Sequence, residues 1–562
     1  MIELPPYVLF YLAAMLVAVL PHRWQQTIML ITPIVGGLSL LGLEAGTVFR
    51  LDIMGLELET LRVDRLSLLF GYLFHVAALI GVVFSLHLRD RLQHVAALLY
   101  AGSALGAVFA GDLVTLFLFW EILALTSAFL IFARRTERAY RAGIRYLIIQ
   151  VVSGVLLLAG ALMLYRQSGS LAFNHIGLTD FASGLIFLAF GIKCAFPLLH
   201  NWLTDGYPEA TVTGTVFLSA FTTKVAVYAL ARGFPGTEAL IYIGVIMTCF
   251  PIFFAVIEND LRRVLAYSMI NQIGFMVVGV GLGTELAMNG TVAHAFNDVI
   301  FKSLLMMSMG AVLYRTGRIN GSDLGGLYKS MPITTTLCIV GAASISAFPL
   351  FSGFVSKSMV MVAVLEEGHP VVWLALLFAS AGVFHHAGIK IPFFAFFAHD
   401  SGIRTTEPPL NMLIAMGFAA VLCVFIGSYP WLLYKLLPVE LGYSPFTGTH
   451  VLAQVQLLVF SAAAFAWLKV AGIYPPELRS TNIDVEWLYR RLAPRVVNQV
   501  ARNVHSLRNV LTGTAQVSGK FLMRTVFRHY GPEGTLARTW PTGSMVLWVA
   551  ILLAASLVLY YL

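Results

Sequence analysis

About 16 apolar segments follow one another along the chain, and most of them have the length of about 20 residues that crossing a bilayer requires. Hydrophobic residues make up 59% of the sequence and charged residues 11%, against roughly 25% charged residues in soluble domains. Because the hydrocarbon layer offers no hydrogen bonds to the backbone, segments of this length cross it as helices. The sequence therefore predicts an all-α polytopic membrane protein.

Short polar loops separate the predicted helices, which we number from 1 to 16 in chain order. They cover residues 7–20, 26–43, 66–87, 94–110, 113–132, 145–166, 183–204, 213–232, 238–257, 264–282, 286–313, 333–365, 371–397, 411–433, 451–472 and 543–562. Residues 48–65 alternate apolar and polar side chains around a glycine. This alternation indicates a short β-hairpin outside the membrane.

Positive charge is concentrated in the loops on one side of these helices. The loops there carry Arg23, Arg89, Arg91, the arginines between 134 and 145, Arg262, Arg263, Arg315, Arg318 and Lys329, together with the whole stretch 473–541. The hairpin 48–65, with three arginines, is the exception on the opposite side. By the positive-inside rule the basic loops face the cytoplasm and both termini face outward. The net charge of +8 then reports orientation, and nucleic acid is not implied as a partner.

A lysine and a proline coincide inside helix 7. Lys193 lies deep in an apolar run, where an ionisable side chain costs several kcal/mol and is a functional-site hypothesis by default. Pro197 follows four residues later and cannot donate the hydrogen bond that the Lys193 carbonyl would accept in a helix. We predict a broken helix beside a buried cation, as in ion transporters. The alternative is a lysine that reaches the interface beside a structural kink.

The same combination recurs in helix 12. The tetrapeptide AFPL occurs at 195–198 and again at 347–350, each time inside a long apolar helix that carries a lysine. In the second copy Pro349 and Gly353 precede Lys357. Interrupted helices at corresponding places in two halves of a chain are typical of transporters built from repeats. Lys357 is therefore a second buried candidate, unless it reaches the interface.

Other ionisable side chains lie within the predicted helices. Glu121 has nearly two apolar turns on each side. It needs a cation, with Lys193 as the first candidate, or it is a protonated or hydrogen-bonded structural carboxyl. Lys224 lies in helix 8, near enough to its start to extend to the interface instead. His386 and Lys390 form a weaker group of helix-end or cavity residues in helix 13.

Three polar residues share one face of helix 11. His294, Asp298 and Lys302 are spaced four residues apart, which aligns them along the helix. A histidine exchanges protons near neutral pH, so the row can pass protons through intervening water. The alternative is a static ion pair of Asp298 and Lys302 beside a packed histidine.

The sequence indicates no cofactor or metal. The four cysteines lie singly in apolar segments, without the spacing of a metal site or a disulfide framework. The glycine-rich run 279–283 lacks the strand context of a dinucleotide site and is typical of helix packing. We therefore expect no redox chemistry in this chain.

Residues 484–530 differ in kind from the rest of the chain. Their apolar residues recur every three or four positions, with arginines between them. This pattern predicts a basic amphipathic helix along the cytoplasmic interface, with a soluble tail as the alternative. We expect Pro494, Gly513 and Gly519 to interrupt the helix.

Six motifs together resemble one family of membrane subunits. They are FWE (119–121), GIKCAFPLLHNWLTDGYPEA (191–210), FTTKVAVYALAR (221–232), NDLRRVLAYSMINQIG (259–274), AHAFNDVIFKSLLMMSMGAV (293–312) and FPLFSGFVSKS (348–358). In this order they are similar to the antiporter-like subunits of respiratory complex I, membrane-bound hydrogenases and Mrp-type cation/proton antiporters. They look closest to the D-type component of Mrp antiporters and its hydrogenase-linked relatives.

The resemblance implies a fold and a set of roles. About 14 core helices are expected, with helices 4–8 and 9–13 as inverted repeats and helices 7 and 12 broken. Proton-transfer roles are implied for Glu121 on helix 5, Lys193 on helix 7, Lys224 on helix 8, His294 on helix 11 and Lys357 on helix 12. Two departures are Asp298, where some members carry a second histidine, and ATVTG after the helix-7 motif, where many have APT.

The expected regions follow from this fold. They are 1–93 (N-terminal helices and hairpin), 94–232 (first repeat), 233–398 (second repeat), 399–472 (C-terminal core helices) and 473–562 (an amphipathic lateral helix and an anchoring transmembrane helix). Partners would be other membrane subunits, protons, Na⁺ as a candidate ion, and the bilayer of a bacterial or archaeal inner membrane.

The function implied by the resemblance is proton translocation in a multisubunit complex. The predicted path follows Lys193, Lys224, His294 and Lys357, with Glu121 as a modulator and with Asp298, Lys302, His386 and Lys390 as secondary candidates. The first interpretation is Mrp-type exchange of protons for a monovalent cation. The alternatives are a pump in a complex I-like or hydrogenase complex, the membrane component of an inorganic carbon uptake complex, and a structural scaffold.

Overall fold

Helices make up nearly the whole of the structure. The computed structural model describes residues 5–53, 55–474, 478 and 482–562. Within these ranges thirteen helices are long and apolar enough to cross a membrane, and three shorter apolar helices accompany them. The predicted all-α architecture is confirmed, and each predicted helix has a counterpart.

The helices of the first half, with their bounds, are α1 (Pro6–Val19), α2 (His22–Gly42), α3 (Arg65–Ser85), α4 (Arg91–Phe109), α5 (Leu113–Phe132), α6 (Glu137–Ser168), α7a (Phe181–Lys193), α7b (Asn201–Gly206) and α8 (Val212–Gly233). Those that follow are α9 (Ala239–Ile257), α10 (Leu261–Leu282), α11 (Glu285–Thr316), α12a (Pro332–Ile345), α12b (Ser352–Glu366), α13 (Pro370–Phe397), α14 (Leu410–Ser428) and α15 (Gly448–Val470).

The hairpin predicted between helices 2 and 3 is present. Strand β1 (Val48–Ile53) pairs antiparallel with β2 (Leu56–Arg62), and Met54 between them lies outside the described residues. Five helices begin after an aspartate whose side chain accepts backbone N–H bonds of the first turn: Asp64, Asp90, Asp112, Asp180 and Asp260. These caps satisfy donors that a helix leaves unpaired, so the polar residues at the ends of the apolar runs set where the helices begin.

Two five-helix repeats follow each other along the chain, and a fixed offset relates α6 of the first to α11 of the second. Helices α6 and α11 both contain 32 residues, and each ends at a glycine with φ of 69°. At the same offset, Asp112 forms an isolated bridge with Ala172, and Asp260 forms one with Asn320. Because five helices separate equivalent positions, the second copy runs through the membrane in the opposite direction. Helices α4–α8 and α9–α13 are thus inverted repeats.

The two broken helices have the same backbone conformation. Ala195 and Leu198 have φ of 62° and 70°, and Ala347 and Leu350 have φ of 59° and 73°. Non-glycine residues rarely adopt a positive φ, and a protein retains it where the surroundings demand it. In each AFPL segment two left-handed residues therefore flank Phe-Pro, and the chain leaves one helix and begins the next. The predicted breaks at Pro197 and Pro349 are present in both helices.

The C-terminal part, Ile483–Leu562, is a separate compact unit. It contains α16 (Ala493–Tyr530) and α17 (Thr542–Tyr561). The expected interruptions at Gly513 and Gly519 are wrong, because α16 is continuous for 38 residues. At Pro494 an irregularity is present: a π-helical stretch, Leu488–Leu492, ends just before the proline, and regular α-helix follows. A single glycine weakens a helix by only about 1 kcal/mol. At 1.5 Å per residue α16 is about 57 Å long.

The backbone at the α12 break generates the first prediction. A β-carbon at Gly353 would overlap the carbonyl oxygen of Ser344, so Gly353→Ala should lower the free energy of unfolding by about 1–3 kcal/mol through overpacking. The matched control is Gly417→Ala on α14, where an added β-carbon meets no atom within 4 Å. Thermal unfolding of the purified protein measures both. Equal stability of the two variants would contradict a tightly packed break.

Candidate functional site

A row of buried polar side chains runs through both repeats. The side chains of Lys193, Lys224, His294, Asp298 and Lys302 have no exposed surface, and Lys357 is 2% exposed. None of the three lysines on α7a, α8 and α12b reaches the membrane interface, so the alternative interpretation of each as an interfacial lysine does not hold. Removing so many charges from water requires partners for each of them.

The last residue of α7a, Lys193, is held by α5. Its ammonium group donates to the Trp120 carbonyl oxygen at 2.5 Å and lies 4.4 Å from the centroid of the Trp120 ring. The indole N–H of Trp120 in turn donates to the Ser153 hydroxyl on α6. A carbonyl oxygen and an aromatic face both attract a cation. The ammonium nevertheless uses only one of its three N–H groups in these contacts.

Glu121 follows Trp120 and makes no direct ion pair with the lysine. Both residues are described, and the Lys193 ammonium bonds the Trp120 carbonyl one residue earlier. The charges of Glu121 and Lys193 still interact, so Lys193 as the cation that compensates Glu121 stays a prediction. The half-buried carboxylate points at α6 and takes the space that a side chain at Gly154 would fill. The Glu121 side chain faces α6 and not α7. The sequence indicates how far along the helix a residue lies, but it does not indicate which neighbouring helix its side chain faces.

An ion pair joins the two repeats. The Lys224 ammonium on α8 lies 2.6 Å from a carboxylate oxygen of Asp298 on α11, and it also donates to the Ser219 carbonyl at 3.3 Å. Lys302 donates to the Ser268 hydroxyl on α10 at 2.9 Å. The alternative of a static Asp298–Lys302 pair is therefore wrong. Asp298 provides the one carboxylate that compensates a lysine of the other repeat.

Hydrogen bonds fix the role of one nitrogen of His294. The amide nitrogen of Gln272 donates to the Asn271 side-chain oxygen at 2.8 Å, so its own oxygen faces the imidazole. The imidazole Nε2 therefore donates to Gln272 at 3.1 Å. Nδ1 lies 3.0 Å from the Ser356 hydroxyl, which can donate either to Nδ1 of a neutral ring or to the Ser352 carbonyl at 3.4 Å. When the hydroxyl donates to Ser352, its oxygen can accept from a protonated Nδ1.

Lys357 lies next to Ser356, at the second break. Its ammonium donates to the carbonyl of Ile345, the last residue of α12a, at 3.3 Å, and lies 5.0 Å from the centroid of the Phe275 ring. The C-terminal end of a helix carries partial negative charge. The break in α12 thus supplies an attractive oxygen for a lysine inside the membrane.

The secondary candidates on α13 have different surroundings. The Lys390 ammonium donates to three carbonyls at the end of α9, at 2.6 to 3.2 Å. His386 lies fully buried in a π-helical stretch, and neither ring nitrogen has a hydrogen-bond partner among the described residues. The ring is close enough to Lys302 and Lys390 for their charges to interact.

Sequence reasoning missed the uncharged members of the row. Ser268, Gln272, Ser356 and Trp120 orient the charged groups, yet such residues are frequent in membrane helices and carry no signal alone. The adjacent amides Asn271 and Gln272 inside an apolar span were the one usable sign. Within the described ranges no cluster of His, Cys, Asp and Glu is arranged to hold a metal.

Comparison with known proteins identifies this arrangement. Residues 110–383 match the family described as NADH:quinone oxidoreductase/Mrp antiporter, TM. The match covers just under half of the chain. Hydrogenase-4 component B of Escherichia coli (strain K12) is 27% identical to the chain over 457 residues, which cover 71% of this chain and 67% of that protein. The D component of the Na⁺/H⁺ antiporter of Alkalihalophilus pseudofirmus is 28% identical over 330 residues, covering 55% of this chain and 66% of that protein.

A solved structure of the same fold extends over nearly the whole chain. A chain of the membrane-bound sulfane sulfur reductase, an archaeal respiratory membrane complex, matches with a TM-score of 0.72 and 22% identity. The match covers 99% of this chain and 100% of that chain. The chain is therefore an antiporter-like membrane protein of the kind found in Mrp and complex I-like assemblies, as its motifs indicated.

The ion pair between the repeats generates the second prediction. Removing one partner, as in Asp298→Asn, leaves a buried ammonium uncompensated and should cost about 3–5 kcal/mol of unfolding free energy. The double variant Lys224→Met/Asp298→Leu should recover most of that loss, because two apolar side chains replace both charges.

The control for this cycle is the exposed pair Arg404–Asp400. Arg404→Met should cost about 0–1 kcal/mol, since a surface pair is screened by water. Thermal unfolding of all four proteins gives the comparison. A single variant of the buried pair that costs no more than Arg404→Met would show that the pair does not hold the repeats together.

Proposed function

We propose that this chain conducts protons across the membrane as one component of a multisubunit cation/proton antiporter of the Mrp type. The observation that carries the proposal is the buried Lys224–Asp298 ion pair. It bridges the two repeats and lies between the break of α7 and the break of α12, each with its own buried lysine. A static scaffold would have no need of five fully buried ionisable groups.

The proposed path begins at Lys193 and ends at Lys357. Protons pass from Lys193 to Lys224, then to His294, and leave by Lys357. Each transfer moves one positive charge along the row, and Coulomb repulsion between neighbouring ammonium groups drives the charge onward. Asp298 stabilises the charge at the centre, and the mobile carboxylate of Glu121 modulates the charge on Lys193. Turning of the Ser356 hydroxyl would open Nδ1 of His294 to the arriving proton.

The exchanged ion, the orientation and the partners belong to the same proposal. An antiporter of this type exchanges protons for a monovalent cation, for which Na⁺ is the candidate, since one relative is described as part of a Na⁺/H⁺ antiporter. The basic loops would face the cytoplasm of a bacterial or archaeal cell, with the chain in its inner membrane. Its partners would be other membrane subunits of the complex.

A second candidate is a proton- or Na⁺-pumping component of a redox-driven complex. It is favoured by the respiratory complex whose chain matches this one over 99% of its length, α16 and α17 included. In that case electron transfer in partner subunits would drive the same proton row. Purification of the intact complex and identification of its subunits separate the two. Small antiporter subunits support the first candidate, and hydrogenase, sulfur-reducing or quinone-reducing subunits support the second.

The third prediction concerns Lys193. Lys193→Ala should abolish proton transport, because no other ammonium lies at the α7 break, while the complex still assembles. Leu188→Ala, on the exposed face of the same helix, is the matched control and should transport normally. Proton flux into membrane vesicles, together with the protein composition of the purified complex, gives the comparison. Normal transport by an assembled Lys193→Ala complex would refute the proton-carrier role.

The fourth prediction concerns α16. Its apolar residues are all exposed, and a face of about 57 Å is too long to leave in water. Truncation after about residue 478 should therefore release or weaken one partner protein while the core helices remain folded. Truncation after residue 541, which removes α17 alone, is the control for loss of the anchor. A truncated complex that keeps every partner but loses transport would assign α16 to the mechanism instead.

A further inference from the structure

The fixed offset between α6 and α11 reveals a second polar row, on α6. The positions of α6 that correspond to His294, Asp298 and Lys302 on α11 are Tyr146, Gln150 and Gly154. The row of the second repeat is charged, whereas that of the first is neutral. At its third position the absent side chain leaves room for the Glu121 carboxylate.

Gln150 is the unexplained member of this row. Its side chain has no exposed surface, and in the described part of the chain neither its amide nitrogen nor its amide oxygen has a hydrogen-bond partner. An unpaired amide in an apolar interior costs several kcal/mol, and native proteins place water at such positions. A water molecule needs two to four polar partners, so the neighbours of the amide decide whether water can stay there.

The contacts on either side of Gln150 locate it beside Lys193. One turn toward one end of α6, Ser153 donates to the Ala189 carbonyl on α7a. One turn toward the other end, the ring of Tyr146 packs against Trp202 on α7b, with centroids 5.6 Å apart. Residues three and four apart share a helix face. Gln150 therefore faces the level of α7 between residues 189 and 202, which is the level of Lys193 and the break.

Other buried polar atoms continue from this point toward the basic loops. The side-chain amide of Asn201 and the hydroxyl of Thr223 are buried and unpaired within the described ranges. Thr222 then bonds the Tyr100 hydroxyl at 2.6 Å, with the hydroxyl of Tyr207 beside them. Of these polar groups, those of Asn201, Thr223 and Tyr207 have hydrogen-bonding capacity left over in the described part of the chain, and they lie on the elements around the α7 break and the loop after α7b.

A cavity lies next to the last of these groups, on the side of the basic loops. The cavity has a volume of about 210 Å³ and includes Pro208, the residue after Tyr207, in its lining. Glu209 and Arg262 also line it, and the Arg262 guanidinium donates to the Tyr207 carbonyl. Both signs of charge line this cavity, so it is polar and roomy enough to hold water.

We propose that Gln150 holds the water that connects Lys193 to this cavity, so that the α6 row is the inlet of the proton path. Gln150 is a positioning residue: it accepts no proton, and it acts by fixing water against the two free N–H groups of the Lys193 ammonium. The inference rests on the proposed function, because it gives a source of protons to the lysine that begins the row.

The experiment compares Gln150→Met with Gln150→Asn in the intact complex. Methionine has similar size and cannot hold water, so Gln150→Met should slow proton transport about tenfold, the loss expected for one hydrogen bond to the transferring water. Gln150→Asn keeps an amide and should recover part of the rate. Ile148→Met, on the exposed face of α6, controls for a methionine in this helix and should transport normally.

A readout independent of transport is the ordered water in an experimental structure of the complex. Water should lie within hydrogen-bond distance of the Gln150 amide and of Lys193 in the wild-type protein, and it should be absent in Gln150→Met. A dry amide in the wild-type protein overturns the proposal, as does wild-type transport by Gln150→Met. Equal loss of rate in Gln150→Met and Gln150→Asn with the water retained assigns Gln150 a packing role and also overturns it.

The proposed function and the inlet fail in different ways. If Lys193→Ala transports normally, the lysine is not a carrier and the whole path is wrong. If Lys193→Ala is inactive but Gln150→Met is as fast as the wild type, the carrier stands and only the inlet is wrong. Should Gln150→Met fail to assemble, the wild-type water and the rate of Gln150→Asn still decide the question.

Discussion

Every buried ammonium of the row must be compensated inside a medium that solvates charge poorly, and the architecture follows from how sparingly this is done. Among the described residues, Lys193 and Lys357 each bond a single carbonyl and lie over an aromatic ring, Lys302 bonds a single hydroxyl, and Lys224 forms an ion pair with a carboxylate. An ammonium with three donors and one partner is held weakly. A network in which every N–H group has a protein partner would hold its charges in place. In this row, N–H groups of the lysines remain that water can bond. We regard that shortage as the physical basis of charge movement.

The helix breaks are one means by which backbone atoms take part in this compensation. Inside a regular helix each carbonyl is bonded to the N–H four residues on, so a side chain must share that oxygen with the backbone, as Lys193 shares the Trp120 carbonyl of α5. The left-handed residues around Phe-Pro end α12a at Ile345, which frees the oxygen that Lys357 binds. Lys193 instead is the last residue of α7a and finds its carbonyl on α5. The same break thus serves as an acceptor in one repeat and as a place for the lysine itself in the other.

The parts of this fold that depend on local sequence could be predicted. The contacts that depend on which neighbouring helix a side chain faces could not. Apolar length located the membrane helices, and AFPL located both breaks, because each copy combines a proline with a nearby lysine in an apolar run. A proline alone does not break a helix here, since Pro33 and Pro251 lie inside α2 and α9. The partner of Lys193 was not predictable, since the turn of α5 decides whether Glu121 faces α7 or α6. The Lys224–Asp298 pair joins residues far apart in sequence, so the four-residue spacing on α11 wrongly suggested Lys302 instead. On α16, the glycines were given too much weight against 38 residues of helical pattern.

The two repeats have diverged in the place where they carry charge. In the second repeat α11 contributes Lys302, bonded to Ser268 of α10. At the equivalent place in the first repeat α6 has Gly154, and the space is filled by the Glu121 carboxylate from α5. One repeat therefore presents an acid where its counterpart presents a base. Two identical halves related by inversion would present the same groups to a proton that arrives from either side of the membrane. This exchange of sign makes the two repeats chemically different at equivalent positions, so the buried row meets different groups in its two halves.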